Sequence, residues 1–396
     1  MENNKKKNVA ILSWSLNSGG AERAAANLSK DLSDKYNVYL VVFDASNITY
    51  SYAGELVDIM IKSGNSTLKK IIVFFKRCFK IKKIKKEKNI DVTISFMPHV
   101  NFYNVLSKVN DKLIISIRNF MSKRGVSKLS RLQMNIARKM SDKTVACADG
   151  VRDDLIKNFG YDNNSVITIY NSCDMNWLKN ENKQVDNLIN KFDFQKPTVV
   201  NVGRMNYQKG QWHLLRAFSE VVKQIPNCQL VIFGEGELKE KLEKYAENLG
   251  IRENVFMFGF VKNHHKFMEK CNVFVCSSLY EGIANLILEA LAFGVPVVST
   301  DCFSGPGEIL NEQVYNKIDD ILLAKYGILT TRFSEKDFDI DDFNFEKSDY
   351  NLAKAIIIML QDKKLASRYT NNGNERIKDF APENIKEKWI NLIENL

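Results

Sequence analysis

The alternation of short apolar runs with helical segments most constrains how this chain can fold. NVAILSW, VYLVVFD, DVTISF, LIISI and KTVACA are separated by segments of helical pattern, the first an Ala-rich one from Ala21 to Asp34. A second series begins at PTVVNVGR and continues through CQLVIFGEG, NVFMFGF, NVFVCSS and VPVVSTD. This order is typical of parallel sheets with helical crossovers. The sequence therefore predicts an α/β protein with two Rossmann-like, doubly wound domains that face each other across a cleft.

The chain length and one polar stretch suggest where the domains divide. A chain of 396 residues is long for one α/β domain and suits two. The Asn- and Lys-rich stretch Lys179–Lys196 precedes the second series and is predicted to be the linker. We expect an N-terminal domain over residues 1–180, a C-terminal domain over 181–379 and a last helix over 380–396. That helix either completes a core or packs back on the N-terminal domain, with Ile385, Trp389, Leu392 and Ile393 on one face.

Composition argues against several classes of protein. The seven cysteines are scattered and have no C-x-x-C spacing, so neither a disulfide framework nor a zinc site is expected. The apolar run after the basic start is too short for a signal peptide. No later run approaches the roughly 18 apolar residues of a spanning helix. We expect a cytoplasmic protein.

Positive charge is concentrated in the N-terminal part of the chain. Residues 1–180 hold 30 Lys and Arg against 16 Asp and Glu, whereas residues 181–396 hold 27 against 31. This asymmetry predicts an anionic partner for the first part, either nucleic acid or a membrane surface. No nucleic-acid-binding motif accompanies the charge, which favours an anionic membrane.

The segment Lys69–Lys88 is the strongest candidate for the membrane contact. It has ten basic residues and one acid, Glu87. Five apolar residues recur at roughly helical spacing: Ile71, Ile72, Phe75, Phe79 and Ile84. The pattern predicts a basic amphipathic helix that lies on the surface of a bilayer. The alternative is a helix that packs these apolar residues on the first sheet and leaves its lysines in solvent.

Two glutamates eight residues apart mark the sharpest motif, in YEGIANLILEALAFGVPVVSTDCFSGPGEIL. Glu281 is expected in a strand-to-helix loop, and Glu289 two turns into a helix that Gly294 and Pro296 terminate. A helix start near Ile283 to Asn285 offers free backbone N–H groups and a positive dipole end for a diphosphate. Glu289 could accept hydrogen bonds from ribose hydroxyls, or it could be an ordinary solvated helix residue. The predicted donor contacts of this segment are Gly282, Ile283, Asn285, Leu286 and Glu289.

Two cations follow the first strand of the second series, in VGRMNYQKG. Arg204 and Lys209 stand in a strand-end loop, and Gly210 precedes the next helix. Two fixed cations suit the negative charge that develops on a leaving diphosphate. A solvated basic loop is the alternative.

Glycine pairs follow strands at two other places. Gly19 and Gly20 let the backbone approach a ligand, and the helix near Ala21 would point its N-terminus into the cleft. Gly234 and Gly236 do not complete a G-x-G-x-x-G fingerprint, so we interpret them first as a structural turn and second as a donor contact.

The chain resembles the retaining glycosyltransferases of family 4, whose fold is called GT-B. The resemblance lies in four motifs and their order: GGAER, GR-x4-KG, E-x7-E and SGP-x-E. The resemblance covers nearly the whole chain and is most specific from Asn201 to Leu310. It implies an acceptor-binding first domain and a nucleotide-sugar-binding second domain. It also implies that Arg204 and Lys209 neutralise the donor diphosphate and that Glu289 holds the ribose. Glu281 would then lie beside the donor sugar, with Gly20 near its phosphates.

The first domain departs from the family pattern at one position. Many members have a His in a loop after a first-domain strand, where this chain has Arg118 and Asn119. His99 and Asn101, in SFMPHVNF, are expected to be loop residues able to reach the acceptor. His213, His264 and His265 have no companion ligands in the sequence and are interpreted as structural or solvated.

We expect neither a metal nor another cofactor. The stretch DFDIDDF offers Asp337, Asp339, Asp341 and Asp342, which superficially resemble a metal-binding D-x-D. Because the stretch is polar and unpatterned, it is predicted to be a solvated loop.

The sequence thus predicts a retaining glycosyltransferase that moves a hexose or N-acetylhexosamine from a nucleotide diphosphate sugar, with UDP favoured. The expected acceptor is a glycan or a lipid-linked sugar, met at the inner face of a membrane. Arg204, Lys209 and Glu281 are the predicted catalytic residues, and retention of configuration is implied by the resemblance. A sugar-nucleotide 2-epimerase of the same fold and a non-catalytic partner subunit of a transferase are the alternatives.

Overall fold

A computed structural model describes residues 6–17, 19–61, 66–175, 186–314 and 317–396. The chain divides into two compact units. Unit 1 comprises residues 1–172 and 382–396, and unit 2 comprises residues 173–381. The doubly wound α/β architecture predicted from the alternating apolar runs is confirmed in each unit.

The sheet of unit 1 is parallel throughout its described strands. These are β1 (Asn8–Ser13), β2 (Asn37–Val42), β3 (Glu55–Asp58), β4 (Val92–Phe96), β5 (Lys112–Ile117), β6 (Lys143–Ala146) and β7 (Val166–Thr168). Their order is β3-β2-β1-β4-β5-β6-β7. The strand order reverses between β1 and β4, which makes this point the topological switch of the sheet.

Helices cover this sheet on its two faces. They are α1 (Gly20–Ser33), α2 (Thr67–Glu87), α3 (Pro98–Leu106), α4 (Lys128–Met140) and α5 (Asp149–Phe159). Fully buried strand residues such as Ile11, Ile94 and Ile114 form the core. The strands are near-continuous apolar runs because both faces of a covered parallel sheet exclude water.

The sheet of unit 2 repeats the arrangement with one antiparallel edge. Its described strands are β8 (Thr198–Val202), β9 (Gln229–Phe233), β10 (Val255–Gly259), β11 (Val273–Cys276), β12 (Val297–Thr300), β13 (Ile321–Leu323) and β14 (Ile328–Thr330). Their order is β10-β9-β8-β11-β12-β14-β13, and only β13 among them pairs in the antiparallel sense. The order reverses between β8 and β11.

Unit 2 also has helices on both faces. They are α6 (Asp186–Lys191), α7 (Gln211–Gln224), α8 (Lys239–Asn248), α9 (His264–Met268), α10 (Asn285–Ala292), α11 (Pro306–Asn311), α12 (Lys347–Gln361) and α13 (Lys363–Arg376). Short 3-10 turns cover Tyr207–Lys209, Arg252–Asn254 and Ile377–Phe380. The stretch predicted as the linker contains α6, and residues 179–185 of it lie outside the described residues.

The last helix, α14 (Pro382–Glu394), belongs to unit 1. Ile385, Trp389, Leu392 and Ile393 are all buried, as their spacing on one face predicted. Trp389 lies 6.4 Å from the ring of Phe96, and Glu394 accepts a hydrogen bond from Tyr36 Oη at 2.7 Å. The C-terminus of the chain therefore completes the core of unit 1.

Candidate functional site

Two loops of unit 2 meet at its topological switch point. One follows β8 and contains Arg204 and Lys209, and the other follows β11 and contains Glu281. Because β8 and β11 are neighbouring parallel strands, both loops leave the same edge of the sheet. Open α/β sheets bind ligands outside the carboxyl ends of the strands at such a point.

Lys209 and Glu281 form a close ion pair at this edge. Nζ of Lys209 lies 2.6 Å from Oε1 of Glu281. The Lys209 side chain is 22% exposed and that of Glu281 is 9% exposed. Burial lowers the pKa of the Lys209 ammonium, but the charge of Glu281 offsets this effect and leaves the pKa above its usual value. The lysine is therefore a fixed cation that a ligand can reach.

Hydrogen bonds between the two loops fix the pair. The Leu279 amide donates to the Gln208 carbonyl at 2.8 Å, and Ser277 Oγ donates to the Lys209 carbonyl at 2.9 Å. Gly210 has a φ of 57°, and a Cβ there would clash with the carbonyl oxygen of Ser277. Only glycine permits both this left-handed conformation and this approach.

Ser278 is a member of the site that the sequence analysis missed. Its Oγ donates to Oε1 of Glu281 at 2.6 Å, the same oxygen that Lys209 contacts. The two contacts leave the other carboxylate oxygen, Oε2, unused by either of them. In the sequence, the position of Ser278 three residues before Glu281 could have indicated this contact.

The loop after β9 supports the loop that contains Arg204. A Cβ on Gly234, whose φ is 140°, would clash with the Gly203 carbonyl oxygen. The Met205 amide donates to the Glu235 carbonyl at 2.9 Å. These contacts agree with the prediction that Gly234 forms a structural turn. Arg204 itself is exposed beside them.

A helix N-terminus follows Glu281, as predicted. Helix α10 begins at Asn285, and Gly282 and Ile283 are buried just before it. Asn285 and Leu286 form its first turn and are partly exposed. Ser304 of the SGP segment donates from Oγ to the Gly282 carbonyl at 2.6 Å and so holds the loop in place. The positive end of the α10 dipole lies at this first turn and favours an anion.

Glu289 lies on α10 but is not the solvated residue of the alternative interpretation. It is 3% exposed, and its Oε2 lies 2.6 Å from Nε2 of His265 and 3.6 Å from Nε2 of His264. The expectation that His264 and His265 lack companion groups is therefore wrong. The error has a physical reason, because a contact between residues of separate helices leaves no mark in local sequence.

These three residues could also hold a metal ion. One ligand atom from each of His264, His265 and Glu289 lies within 4.8 Å of the others, and no second such group occurs among the described residues. Two imidazole nitrogens and one carboxylate oxygen are ligands that Zn²⁺ accepts. The distance of 2.6 Å is also that of an ordinary hydrogen bond, which satisfies His265 and Glu289 without a metal.

In unit 1, the predicted residues gather near the carboxyl ends of β1, β4 and β5. Gly20 is the exposed first residue of α1. His99 is exposed in the first turn of α3, and its ring meets that of Trp14 edge-on at 5.1 Å. The prediction that His99 is a loop residue is wrong, although its ring is accessible.

Asn101 is also on a helix, and it is 1% exposed. Its Oδ1 accepts from Ser95 Oγ at 2.8 Å and its Nδ2 donates to the Ser116 carbonyl at 3.0 Å. The prediction that Asn101 is a loop residue able to reach an acceptor is therefore wrong, because its amide ties α3 to β4 and β5.

Arg118 and Asn119 follow β5 directly, and both are partly exposed. The guanidinium of Arg118 lies 5.4 Å from the ring of Phe96 and contacts Ser116 Oγ at 3.3 Å. These contacts orient the arginine at the end of β5, and parallel sheets bind ligands at the carboxyl ends of their strands.

The acidic stretch of residues 337–342 forms no metal-binding group among the described residues. Asp337, Asp339 and Asp341 are exposed, and Asp342 pairs with Arg216 at 3.3 Å. The prediction of a solvated loop holds only in part, because Phe338 and Ile340 between these acids pack against the core of unit 2.

Helix α2 exposes an apolar stripe beside its lysines. Along its first four turns the exposed apolar residues are Leu68 (68%), Ile71 (50%), Ile72 (45%), Phe75 (65%) and Phe79 (72%). Six lysines of the helix are exposed as well: Lys69, Lys70, Lys76, Lys82, Lys83 and Lys86. The interpretation that this helix packs its apolar residues on the sheet holds for Ile84 alone among the five predicted positions. We call these eleven exposed residues the α2 surface.

Three basic residues of α2 are engaged within unit 1. Arg77 is buried and donates to the Ile61 carbonyl, and Lys80 donates to the Ile59 carbonyl at 2.7 Å. Lys85 is 1% exposed and pairs with Asp111 at 2.9 Å. These residues hold α2 against its neighbours. No helix of the described chain is both long and apolar enough to cross a bilayer.

Two family models match the chain. Residues 18–177 match a model described as Glycosyltransferase Family 4, and residues 182–323 match one described as Glycosyl transferases group 1. An uncharacterized glycosyltransferase of Methanocaldococcus jannaschii is 36% identical over 342 residues, which cover 81% of this chain and 83% of that protein.

A relative with a named reaction and a solved structure add to this comparison. The N-acetylgalactosamine-N,N'-diacetylbacillosaminyl-diphospho-undecaprenol 4-alpha-N-acetylgalactosaminyltransferase of Campylobacter jejuni is 26% identical over 383 residues, 94% of this chain and 95% of its own. The structure of Alr3699/HepE of Anabaena in complex with UDP has a TM-score of 0.76 at 17% identity, covering 98% of this chain and 100% of that chain. The likeness to HepE shows the shared fold.

Proposed function

The chain belongs to glycosyltransferase family 4 and has its GT-B fold, and from this premise we propose that it is a retaining glycosyltransferase that uses a UDP-sugar. It transfers a hexose or N-acetylhexosamine to a glycan or lipid-linked acceptor. The observation that carries the proposal is the Lys209–Glu281 pair, fixed at 2.6 Å beside the N-terminus of α10.

Unit 2 provides the donor site. Lys209 and Arg204 neutralise the diphosphate, and the positive end of the α10 dipole stabilises the same charge. Glu289 accepts hydrogen bonds from the ribose, and Glu281 contacts the donor sugar. The solved complex of HepE with UDP supports UDP as the nucleotide.

The reaction is a front-side displacement. The bond between the anomeric carbon and the diphosphate oxygen breaks, and the acceptor hydroxyl oxygen bonds to that carbon from the same face. The departing phosphate oxygen takes the hydroxyl proton. Lys209 stabilises the charge that develops on the leaving group, and electrostatic stabilisation of this kind usually contributes most to the rate of such reactions. No step uses a metal ion.

Unit 1 provides the acceptor site, in which His99, Arg118 and Asn119 lie at the carboxyl ends of β4 and β5. The Campylobacter relative's name places its acceptor on diphospho-undecaprenol, which supports a lipid-linked acceptor here. The negative diphosphate of such a lipid suits the net positive charge of residues 1–180.

Attachment to an anionic membrane occurs through the α2 surface, at the inner face of the membrane. Its exposed apolar stripe enters the headgroup boundary, and its exposed lysines meet anionic lipid. Each Lys near an anionic bilayer contributes roughly 1 kcal/mol, so six of them suffice for reversible attachment. The attached protein is then at the membrane, where a lipid-linked acceptor resides.

A donor screen followed by product analysis tests the proposal. A panel of nucleotide sugars is first ranked by the thermal shift that each produces, and UDP-sugars are expected to stabilise the protein most. The best donor is then incubated with lipid extract and also alone. Nuclear magnetic resonance of the product should show that the anomeric configuration of the donor is kept. An epimer formed without acceptor would identify a 2-epimerase, and an inverted product would contradict retention.

A further inference from the structure

His265 is held rigidly against Glu289 in unit 2. It lies in the short helix α9, whose Phe267 and Met268 are fully buried. The ring of His265 stacks on Phe293 with centroids 5.5 Å apart and an interplanar angle of 19°. Its side chain is 8% exposed. The position of its Nε2, 2.6 Å from Oε2 of Glu289, is therefore set by the packing of two helices.

The hydrogen-bonding roles of the two neighbouring imidazoles differ. A carboxylate oxygen accepts hydrogen bonds, so Nε2 of His265 must carry the proton that it shares with Glu289. Nδ1 of His264 lies 3.3 Å from the Val261 carbonyl oxygen, to which it donates. Nε2 of His264 lies 3.6 Å from Oε2 of Glu289, beyond hydrogen-bond distance. His265 is thus the imidazole that donates to Glu289.

We propose that His265 is a positioning residue that orients the Glu289 carboxylate to accept hydrogen bonds from the ribose hydroxyls of the donor. The inference rests on the proposed function, in which Glu289 holds the ribose. A glutamate has three side-chain torsions, and their freedom must be lost when the carboxylate binds a diol. The bond from His265 fixes the carboxylate plane before the donor arrives, so less of that entropy is lost on binding.

Two substitutions separate the hydrogen bond from the packing. His265→Phe keeps an aromatic ring against Phe293 and removes the N–H donor. His265→Gln loses the ring but supplies an amide donor. If the bond orients Glu289, the Phe variant is the more damaging one for ribose recognition. If His265 only fills space, the Gln variant is the more damaging one.

Calorimetric titration with UDP, 2′-deoxy-UDP and 3′-deoxy-UDP measures ribose recognition directly. The proteins are the wild type, both His265 variants and Glu289→Gln, all dialysed against EDTA and checked for an unchanged Tm. Because a hydrogen bond to a charged group is strong, the loss of one ribose hydroxyl should weaken binding markedly. We therefore expect wild type to bind UDP roughly tenfold or more tightly than at least one deoxy analogue. In His265→Phe that ratio should fall to about threefold or less, with His265→Gln between the two.

The outcomes distinguish this inference from the proposed function. If His265→Phe discriminates between UDP and the deoxy analogues as wild type does, while Glu289→Gln does not, the inference is wrong and the proposed ribose contact stands. If wild type fails to bind UDP, or Glu289→Gln discriminates normally, the proposed function itself fails at this site. If the EDTA-treated wild type discriminates only after Zn²⁺ is added, His264, His265 and Glu289 form a metal site instead.

Discussion

Nζ of Lys209 lies 2.6 Å from Oε1 of Glu281, and the two residues belong to loops that leave adjacent strands at the switch point of unit 2. The pair places a cation and an anion side by side at the edge of the sheet. A ligand with a negative diphosphate and a neutral sugar would use both, the diphosphate at the lysine and the sugar at the glutamate.

Changing Glu281 to Gln should reduce kcat about a hundredfold, because the charge beside the donor sugar is lost. The amide oxygen can still accept from Lys209 and Ser278, so the fold should be kept. Steady-state kinetics with the best donor and the measured Tm check this prediction. Glu237→Gln, in a neighbouring loop of the same unit, serves as the control and should retain normal turnover. A near-normal kcat for the Glu281 variant would remove that residue from the mechanism.

Activity should survive an excess of EDTA, since the proposed stabilisation of the leaving diphosphate uses Lys209, Arg204 and the N-terminal dipole of α10. The assay compares turnover before and after dialysis against the chelator. Loss of activity that Mn²⁺ or Mg²⁺ restores would contradict the proposal.

The α2 surface should carry the protein to anionic liposomes. Replacing Lys69, Lys70, Lys76, Lys82, Lys83 and Lys86 by Gln should abolish sedimentation with vesicles that contain phosphatidylglycerol, because each removed charge costs roughly 1 kcal/mol of attraction. The matched control replaces six exposed lysines of unit 2 by Gln: Lys241, Lys244, Lys262, Lys270, Lys363 and Lys364. This control has the same net charge as the α2 variant and should still sediment with the vesicles. Equal sedimentation of both variants would show that α2 is not the contact.

Lys85 must be left out of that variant, because its pair with Asp111 is buried. Burial lowers the pKa of Lys85 to about 8 in spite of the nearby carboxylate. Replacing Lys85 by Met leaves the buried Asp111 carboxylate without its cation. The free energy of unfolding should fall by about 3–5 kcal/mol. Lys86→Met, at an exposed neighbouring position, should change it by less than about 0.5 kcal/mol. Denaturant titration measures both, and equal stabilities would contradict the role of the pair.

Features within one element could be predicted from the sequence. The β-α alternation predicted ten of the fourteen described strands but not the short strands β3, β7, β13 and β14. The capping glycine Gly294 helped to predict the end of α10. The buried face of α14 followed from its spacing. These features depend on local periodicity and turn chemistry, which are written in consecutive residues.

Contacts between distant elements could not be predicted in the same way. Periodicity predicted an apolar stripe on α2. It could not predict which residues of the stripe face solvent, because their exposure depends on how other elements pack against the helix. Lys85 is buried only because Asp111 and Asn104 accept from it. The partner of Glu289 was missed for the same reason, since His265 lies on another helix.

Titration of UDP and UMP into wild type and Lys209→Met tests the donor site most directly. Methionine keeps most of the length of the lysine side chain and removes its charge, and Lys239→Met is the matched control because Lys239 pairs with the exposed Glu235 in the same unit. Wild type and the control should bind UDP at least about tenfold more tightly than UMP, as expected when a cation contacts the second phosphate. Lys209→Met should lose most of that preference and most of its transfer activity. Equal preference for UDP in Lys209→Met and wild type would contradict the assignment of Lys209 to the donor diphosphate.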